Sequence, residues 1–190
     1  MSATDFFPWL PDWSTAVTIT YRNDTVINQS ETGNEQSRFP LYNLPKRKIT
    51  CTHFSPDNMV NIENFLRKFH ADFFQVPIFT EPILPIGVEG SSLKNVTAIQ
   101  STELLSKYNL NNLCSHVLIY NISNPELSEL HTLVSVDSDV QMTIGGTFTN
   151  DFTIGNTMYF PVMQAYTDGF DDTMTTRDYQ DTALVFQEYF

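Results

Sequence analysis

Alternation of apolar and polar residues dominates this chain. Val17, Ile19 and Tyr21 fall on one face of a stretch whose other face is Thr18 and Thr20. That is the period-two pattern of a half-buried strand. Asn23-Asp24 signals a turn, and Val26-Ile27 begins a returning strand. Residues 29–34 are polar and read as a loop, and the segment from Glu35 to Leu44 closes at Pro45. Residues 46–54 alternate again, with Ile49, Cys51 and His53 opposite Lys48, Thr50 and Thr52. The period then changes. Met59, Ile62, Leu66, Phe69 and Phe73 recur at three- and four-residue spacing, and Phe65 widens the stripe. Ser55 suits the N-cap, Pro56 the first helical position, and Asp57 the positive end of the dipole. The pattern predicts an amphipathic helix of about four turns, ending near Asp72 and packed on a sheet. Val76, Ile78 and Phe79 read as a strand, and Pro77 places it at an edge or a strand start.

Prolines and glycines from Pro82 to Gly90 mark a boundary. Beyond it, short strands are expected at 96–100, 116–121, 130–136, 140–144 and 157–166, the last crossed by Pro161. Glu103–Tyr108 reads as one helical turn. Residues 167–181 are acidic and polar and read as a loop. Residues 182–190 form a terminal strand with Leu184, Phe186 and Glu188 opposite Val185, Gln187 and Tyr189; a strand this apolar needs a partner. The fold class expected is α+β, mainly β. Residues 1–83 plus 167–190 form a β-sandwich-like assembly domain with one amphipathic helix packed on the sheet. Residues 84–166 form a small β-barrel or sandwich.

Composition narrows the function classes. The chain has 190 residues, 41% of them apolar and 13% aromatic, which suits a sizeable β-rich core. Only 17% are charged, so Thr, Asn and Ser make the surface rich in hydroxyls and amides. The net charge of −12 argues against specific nucleic-acid binding, which depends on Lys and Arg neutralising phosphates. No apolar run is long enough to span a bilayer. The opening residues Met1–Asp5 lack a basic and then apolar leader, so synthesis in the cytoplasm is expected.

The N-terminus, Phe6-Phe7-Pro8-Trp9-Leu10-Pro11-Asp12-Trp13, has two prolines that forbid regular structure. It reads as an aromatic arm docked either on its own core or on a neighbour. Deleting residues 1–13 is accordingly expected to leave a folded monomer with weakened assembly. Trp9–Trp13 before a strand, then Thr32-Gly33-Asn34-Glu35-Gln36-Ser37-Arg38, then Pro45-Lys46-Arg47-Lys48, then a helix leading to Pro77-Ile78-Phe79, resemble a family of bacteriophage tail proteins. In that family a Gly-x-Glu-Gln-x-Arg segment and a Pro-Arg-Arg-like segment precede a strand with a helix under the sheet. Gly155–Val162 resembles the family's second domain, where a Gly-x-x-Val/Met-x-x-Pro pattern recurs. The basic segment here is Lys-Arg-Lys rather than Arg-Arg. The resemblance covers residues 9–80 and, more weakly, 130–190. It implies a distal-tail, baseplate or adaptor component of the virion tail. Such a component is made in the host cytoplasm, assembles as a homo-oligomeric ring, and joins the tail tube to tip or fibre proteins. The assembly interface expected from the aromatic arm and the charges is Phe6, Phe7, Trp9, Trp13, Glu35, Arg38, Lys46, Arg47 and Lys48. In a ring the charged members would pair across subunits, giving orientation more than affinity; the alternative is that they pair within the chain or are solvated.

Catalytic and metal motifs do not emerge. His53, His70, His116 and His131 form no HExxH motif, Cys51 and Cys114 no C-x-x-C, and no serine sits in a Gly-x-Ser-x-Gly elbow. Asp168, Asp171, Asp172, Asp178 and Asp181 cluster near Gly169, but their spacing does not match a calcium loop, and a solvated acidic loop is the expectation. No enzyme activity, metal or cofactor is expected. The alternative function is a carbohydrate- or receptor-binding adhesin module, suggested by the aromatic and Asn/Thr richness of 84–166. Both tryptophans lie outside that region.

Overall fold

The computed structural model describes residues 5–22, 25–29, 36–40, 46–54, 59–69, 72–93, 98–101, 103–104, 114–176 and 179–188; for 25–29, 36–40, 53–54, 59, 168–176 and 179–182 only the backbone is described. The chain is α+β and mainly β, with one helix against an antiparallel sheet. The strands are β1 (Thr18–Arg22), β2 (Thr25–Gln29), β3 (Gln36–Pro40), β4 (Lys46–Phe54), β5 (Phe74–Pro77), β6 (Ala98–Gln100), β7 (His116–Asn121), β8 (Glu129–Ser138), β9 (Gln141–Ile144), β10 (Thr157–Thr176) and β11 (Tyr179–Glu188). The helix α1 spans Met59–Lys68. Strand order is β1-β4-β11-β10-β7-β8-β9-β6, with β5 also on β10, and β2-β3 form a separate ribbon.

The long strand β10 organises the molecule. Val162 pairs with both His116 of β7 and Pro77 of β5, so those strands lie on opposite flanks. Ala165 pairs with both Phe74 of β5 and Glu188 of β11, which puts β11 on the β7 flank. One flank of β10 therefore carries β7 along its first part and β11 along its second. The strands of the 84–166 stretch, β6 to β9, join the same sheet through β10. Pro161 fits here because its carbonyl accepts from Ile78 N at 2.8 Å on the β5 flank. The N–H it lacks would have pointed the same way, so the β7 ladder loses no donor.

Among the described residues the apolar faces bury as three clusters. The first joins Phe7, Ile49, Cys51, Ile62, Leu66, Phe69, Phe74, Val76, Phe79 and Met163 with Leu184 and Phe186. The second joins Ile83, Leu93, Ile99, Val117, Ile119, Met142, Phe148, Phe152 and Tyr159. A small third cluster of Leu118, Tyr120, Phe160 and Val162 takes the other face of β7 and the start of β10.

Two elements differ from expectation. The helix ends at Lys68, not Asp72; the Phe69 amide donates to both Phe65 O (3.1 Å) and Leu66 O (3.2 Å), which closes the last turn and leaves Phe73 outside it. The cap residues Ser55, Pro56 and Asp57 lie outside the described residues, as do the Asn23-Asp24 turn, residues 30–34 of the loop expected at 29–34, and most of the turn expected at 103–108; Gln29 ends β2. The stretch 167–181, expected as a loop, instead continues β10 to Thr176 and starts β11 at Tyr179. Ladder pairing of β11 on both flanks, with β10 and β4, outweighs the poor strand preference of the aspartates in β10 and of Asp181 in β11.

Candidate assembly surface

The arm docks on its own chain. Gln75 N donates to Asp5 O (3.1 Å) and Phe7 N to Gln75 O (2.8 Å), so the arm runs beside β5. Phe7 is fully buried. Its ring lies 5.1 Å from Phe186, 5.8 Å from Phe65 and 5.1 Å from Trp9. Trp9 is half-buried on the first cluster and Phe6 half-buried on the third. Asp12 N donates to Thr52 O at 2.8 Å, fixing the arm's far end. Of the arm residues expected at an interface, Phe7 is therefore a core residue of its own chain. Trp13, at 56% exposed, is the one open to a partner.

The basic segment divides by strand parity. Arg47 is two residues before Ile49 and shares its face, so it points into the first cluster and is 7% exposed. It was expected among exposed interface charges; instead Glu188 meets it. Gln187 pairs with Lys48, and the next step of that ladder brings Glu188 beside Arg47. Arg47 donates from Nε to Glu188 Oε2 (2.8 Å), from its backbone N to the same oxygen (2.9 Å), and from Nη2 to Oε1. This is a bidentate, desolvated pair. A signal for it was present in the sequence: Arg47 and Glu188 each extend an apolar alternation by one step at the end of a strand.

Lys46, Lys48 and Arg22 take the other face, the outer face of the β1-β4-β11-β10 sheet. Arg22 lies directly opposite Lys46 and Thr20 opposite Lys48. Arg22 and Lys48 are exposed and Lys46 half-buried. Thr18, Thr20, Thr50 and Ala183 on the same face are exposed too. The face is thus hydroxyl-rich, with a cluster of cations at one end. Glu35 lies outside the described residues, and Arg38 is placed only by its backbone, opposite Ile27 in β3.

A further polar cluster centres on Glu129 and His131. Glu129 accepts from Thr149 N (3.1 Å), Thr149 Oγ1 (2.6 Å) and Asn150 N (2.5 Å), and lies 3.0 Å from His131 Nε2. His131 Nδ1 lies 3.1 Å from Gly145 O, and its ring stands edge-on to Phe148 at 5.2 Å. Together they clasp the 145–150 loop to β8. Burial opposes the charge of Glu129, but the bonds from Thr149, Asn150 and His131 outweigh it and hold its carboxyl below the ordinary range. A lowered folded pKa contributes stability that is present above the unfolded value and lost as pH falls through the folded one. The loop is therefore expected to stay clasped at pH 7 and to loosen as pH drops below about 4.5, the ordinary glutamate value. Amide exchange at Thr149 and Asn150 checks this: protection factors that hold unchanged down to full protonation of Glu129 would refute the clasp.

Burial pushes the Cys51 thiol up to about 12 and the Cys114 thiol up to about 11, so neither supplies a thiolate near neutral pH. Among the described residues no group of three His, Cys, Asp or Glu is placed to hold a metal, and no helix is long and apolar enough to cross a membrane. His70, Asp178 and the side chains of His53 and of the other clustered aspartates lie outside what is described.

Comparison with protein-family models finds no match to this chain, and comparison with curated proteins finds none either.

Proposed function

We propose that this chain is a structural subunit of a bacteriophage tail. In this reading it is a distal-tail, baseplate or adaptor component that forms a homo-oligomeric ring and links the tail tube to tip or fibre proteins in the virion. The role is mechanical: no catalytic step, cofactor, nucleic acid or membrane enters it. The observation that carries the reading is the exposed outer sheet face beside β1, a strand that pairs only with β4 among the described residues and whose residues are exposed except for half-buried Ile19. An edge strand and an exposed polar face suit a protein partner. Of the tail-like motifs, Lys46–Lys48 opens β4 in this sheet and Trp9–Trp13 lies in the arm bonded to β4 at Thr52, which supports the same reading.

The test is the mass of the purified chain in solution, by light scattering over a concentration series, alone and with tube and tip proteins added. A discrete ring-sized species, or a monomer recruited into one by those partners, is the expected result. A monomer that ignores them and binds cell-surface glycans would shift the assignment to the adhesin. The exposed Trp13 ring, a surface on which a sugar could stack, is the observation that favours that second reading.

A further inference from the structure

We infer that two copies of this chain pair edge to edge through β1, the strands running antiparallel about a two-fold axis at Thr20. The inference rests on the reading of the β1 margin as a partner-binding surface and commits that partner to a second copy.

The inner layer of the sheet thins out at β1. Register sets Ile19 opposite Ile49 and Ile49 opposite Phe186, so the three form one row across β1, β4 and β11. Phe186 and Ile49 are fully buried, whereas Ile19 is half-buried. The next row runs from Glu188 through Arg47 to Tyr21, and there the fall is steeper: Glu188 and Arg47 are buried and Tyr21 is 54% exposed. Val17, two residues before Ile19, is half-buried as well. Apolar side chains at alternate positions 17, 19 and 21 thus line a margin that one further strand would cover.

Little in β1 discourages such a strand. Natural sheet edges are blunted by prolines, bulges or charges pointing inward. Strand β1 has no proline, its ladder with β4 has no register shift, and its inward positions are Ile19 and Tyr21. Among the described residues it pairs only with β4. In an antiparallel pair every second residue directs its N–H and C=O away from the partner strand, which is what an added strand reads.

Charge favours a second copy at this margin. The chain carries 22 acidic and 10 basic side chains, so two copies brought together at random repel. Residues 13–22 contain no acidic residue and one basic one, Arg22, so pairing here opposes no carboxylates within the strands. The strand also fits itself residue by residue. A slip of one position would turn one copy's inner face outward; centring the pair on Thr20 avoids this and uses all of β1. Ile19 of each copy then opposes Tyr21 of the other, a β-branched and aromatic pair of the kind that stabilises sheets. Thr18 opposes Arg22. The two Arg22 positions stand four residues apart along the strands, about 13 Å at ~3.3 Å per residue, beyond the ~8 Å screening length at physiological salt. Both copies use the same patch, so the contact is isologous and gives a pair; a ring needs a different, head-to-tail contact.

Cysteine cross-linking tests the pairing. Directly opposed Cα atoms in an antiparallel pair lie ~4.5–5.5 Å apart, within disulfide reach. Thr20→Cys, at an exposed position, is therefore expected to give a disulfide-linked dimer on mild oxidation, about tenfold or more faster than Thr18→Cys, whose two copies lie about 13 Å apart. An equimolar mixture of Thr18→Cys and Arg22→Cys is expected to cross-link as a heterodimer, and the natural chain, with Cys51 and Cys114, sets the background. Tyr21→Glu puts a charge on the inward side of the edge. By light scattering over a concentration series it is expected to weaken dimerisation about tenfold or more, because the two-fold axis counts the change twice. Thermal melts by circular dichroism establish that each variant is folded. A natural chain that stays monomeric to about 1 mM overturns the pairing. So does a Tyr21→Glu variant that associates like the natural chain, or a Thr20→Cys variant that cross-links no faster than Thr18→Cys. Ring-sized species that these β1 changes leave unmoved overturn the pairing and leave the ring reading standing.

Discussion

Replacing Glu188 with alanine is expected to destabilise the fold by about 3–5 kcal/mol, because it leaves the Arg47 guanidinium buried without its counter-charge. Arg47 is 7% exposed and Glu188 5%. Neither can swing into water without dismantling the end of the β4-β11 ladder. Against a total stability on the order of 5–15 kcal/mol, the loss is a large fraction. It should appear as a fall of roughly 6–20 °C in melting temperature. The informative comparison is the double variant Arg47→Met with Glu188→Leu. It removes both charges and keeps apolar volume, so it should be more stable than Glu188→Ala and is expected to lie close to the natural chain. Urea titration of the set measures this directly. A Glu188→Ala variant within about 0.5 kcal/mol of the natural chain, the range of ordinary surface changes, would show that the pair is not desolvated as described.

The pair also bears on register. A slip of one residue between β4 and β11 would turn Lys48 toward the first cluster and Arg47 out of it, since successive side chains alternate faces. Arg47 and Glu188 meet only when Ile49 opposes Phe186 and Cys51 opposes Leu184, the register observed. The charge pair and the apolar pairs thus select the same alignment.

How much of this was legible beforehand follows from what each signal measures. Strand β7 was placed correctly at 116–121 because Val117, Leu118, Ile119 and Tyr120 are buried on both faces, and a continuous apolar run reports that directly. Strand β4 and the terminal strand were legible from alternation. The helix stripe identified Ile62 and Leu66 as core, but it overran the end, because Phe69 and Phe73 continue the apolar spacing after the backbone has turned. The acidic stretch misled for a different reason. Aspartate content reports local preference, whereas β10 and β11 there are held by pairing to partners far away in sequence. Arg47 departs from the surface position its charge suggests because strand parity decides its face: Lys46 and Lys48 are on the outer face and Arg47 between them is on the inner one. The gathering of Arg22 with Lys46 depends on the β1-β4 register, which spacing along the chain does not encode.

The arm shows the same limit, and its second prediction is as large. Composition alone left it equally suited to its own core or to a neighbour. The structure has Phe7 fully buried among Trp9, Phe65 and Phe186, in edge-on and tilted contacts at 5.1–5.8 Å. Phe7→Ala is therefore expected to cost about 3–5 kcal/mol, the transfer free energy of the ring plus the cavity it leaves. Trp13→Ala, at a position 56% exposed, is expected to change stability by no more than about 0.5 kcal/mol. Deleting residues 1–13 removes Phe7 together with the bonds at Gln75 and Thr52, so it should lower stability at least as much as Phe7→Ala rather than leave an intact monomer. Loss of assembly in that deletion would then say nothing about an interface, because an unfolded subunit cannot join a ring. Trp13→Ala separates the two effects: equal stability with weaker self-association assigns Trp13 to the contact, and equal stability with equal self-association confines the arm to its own core. Chemical denaturation of the three variants alongside the natural chain decides the stability ranking, and a Phe7→Ala variant as stable as Trp13→Ala would refute the docked arm.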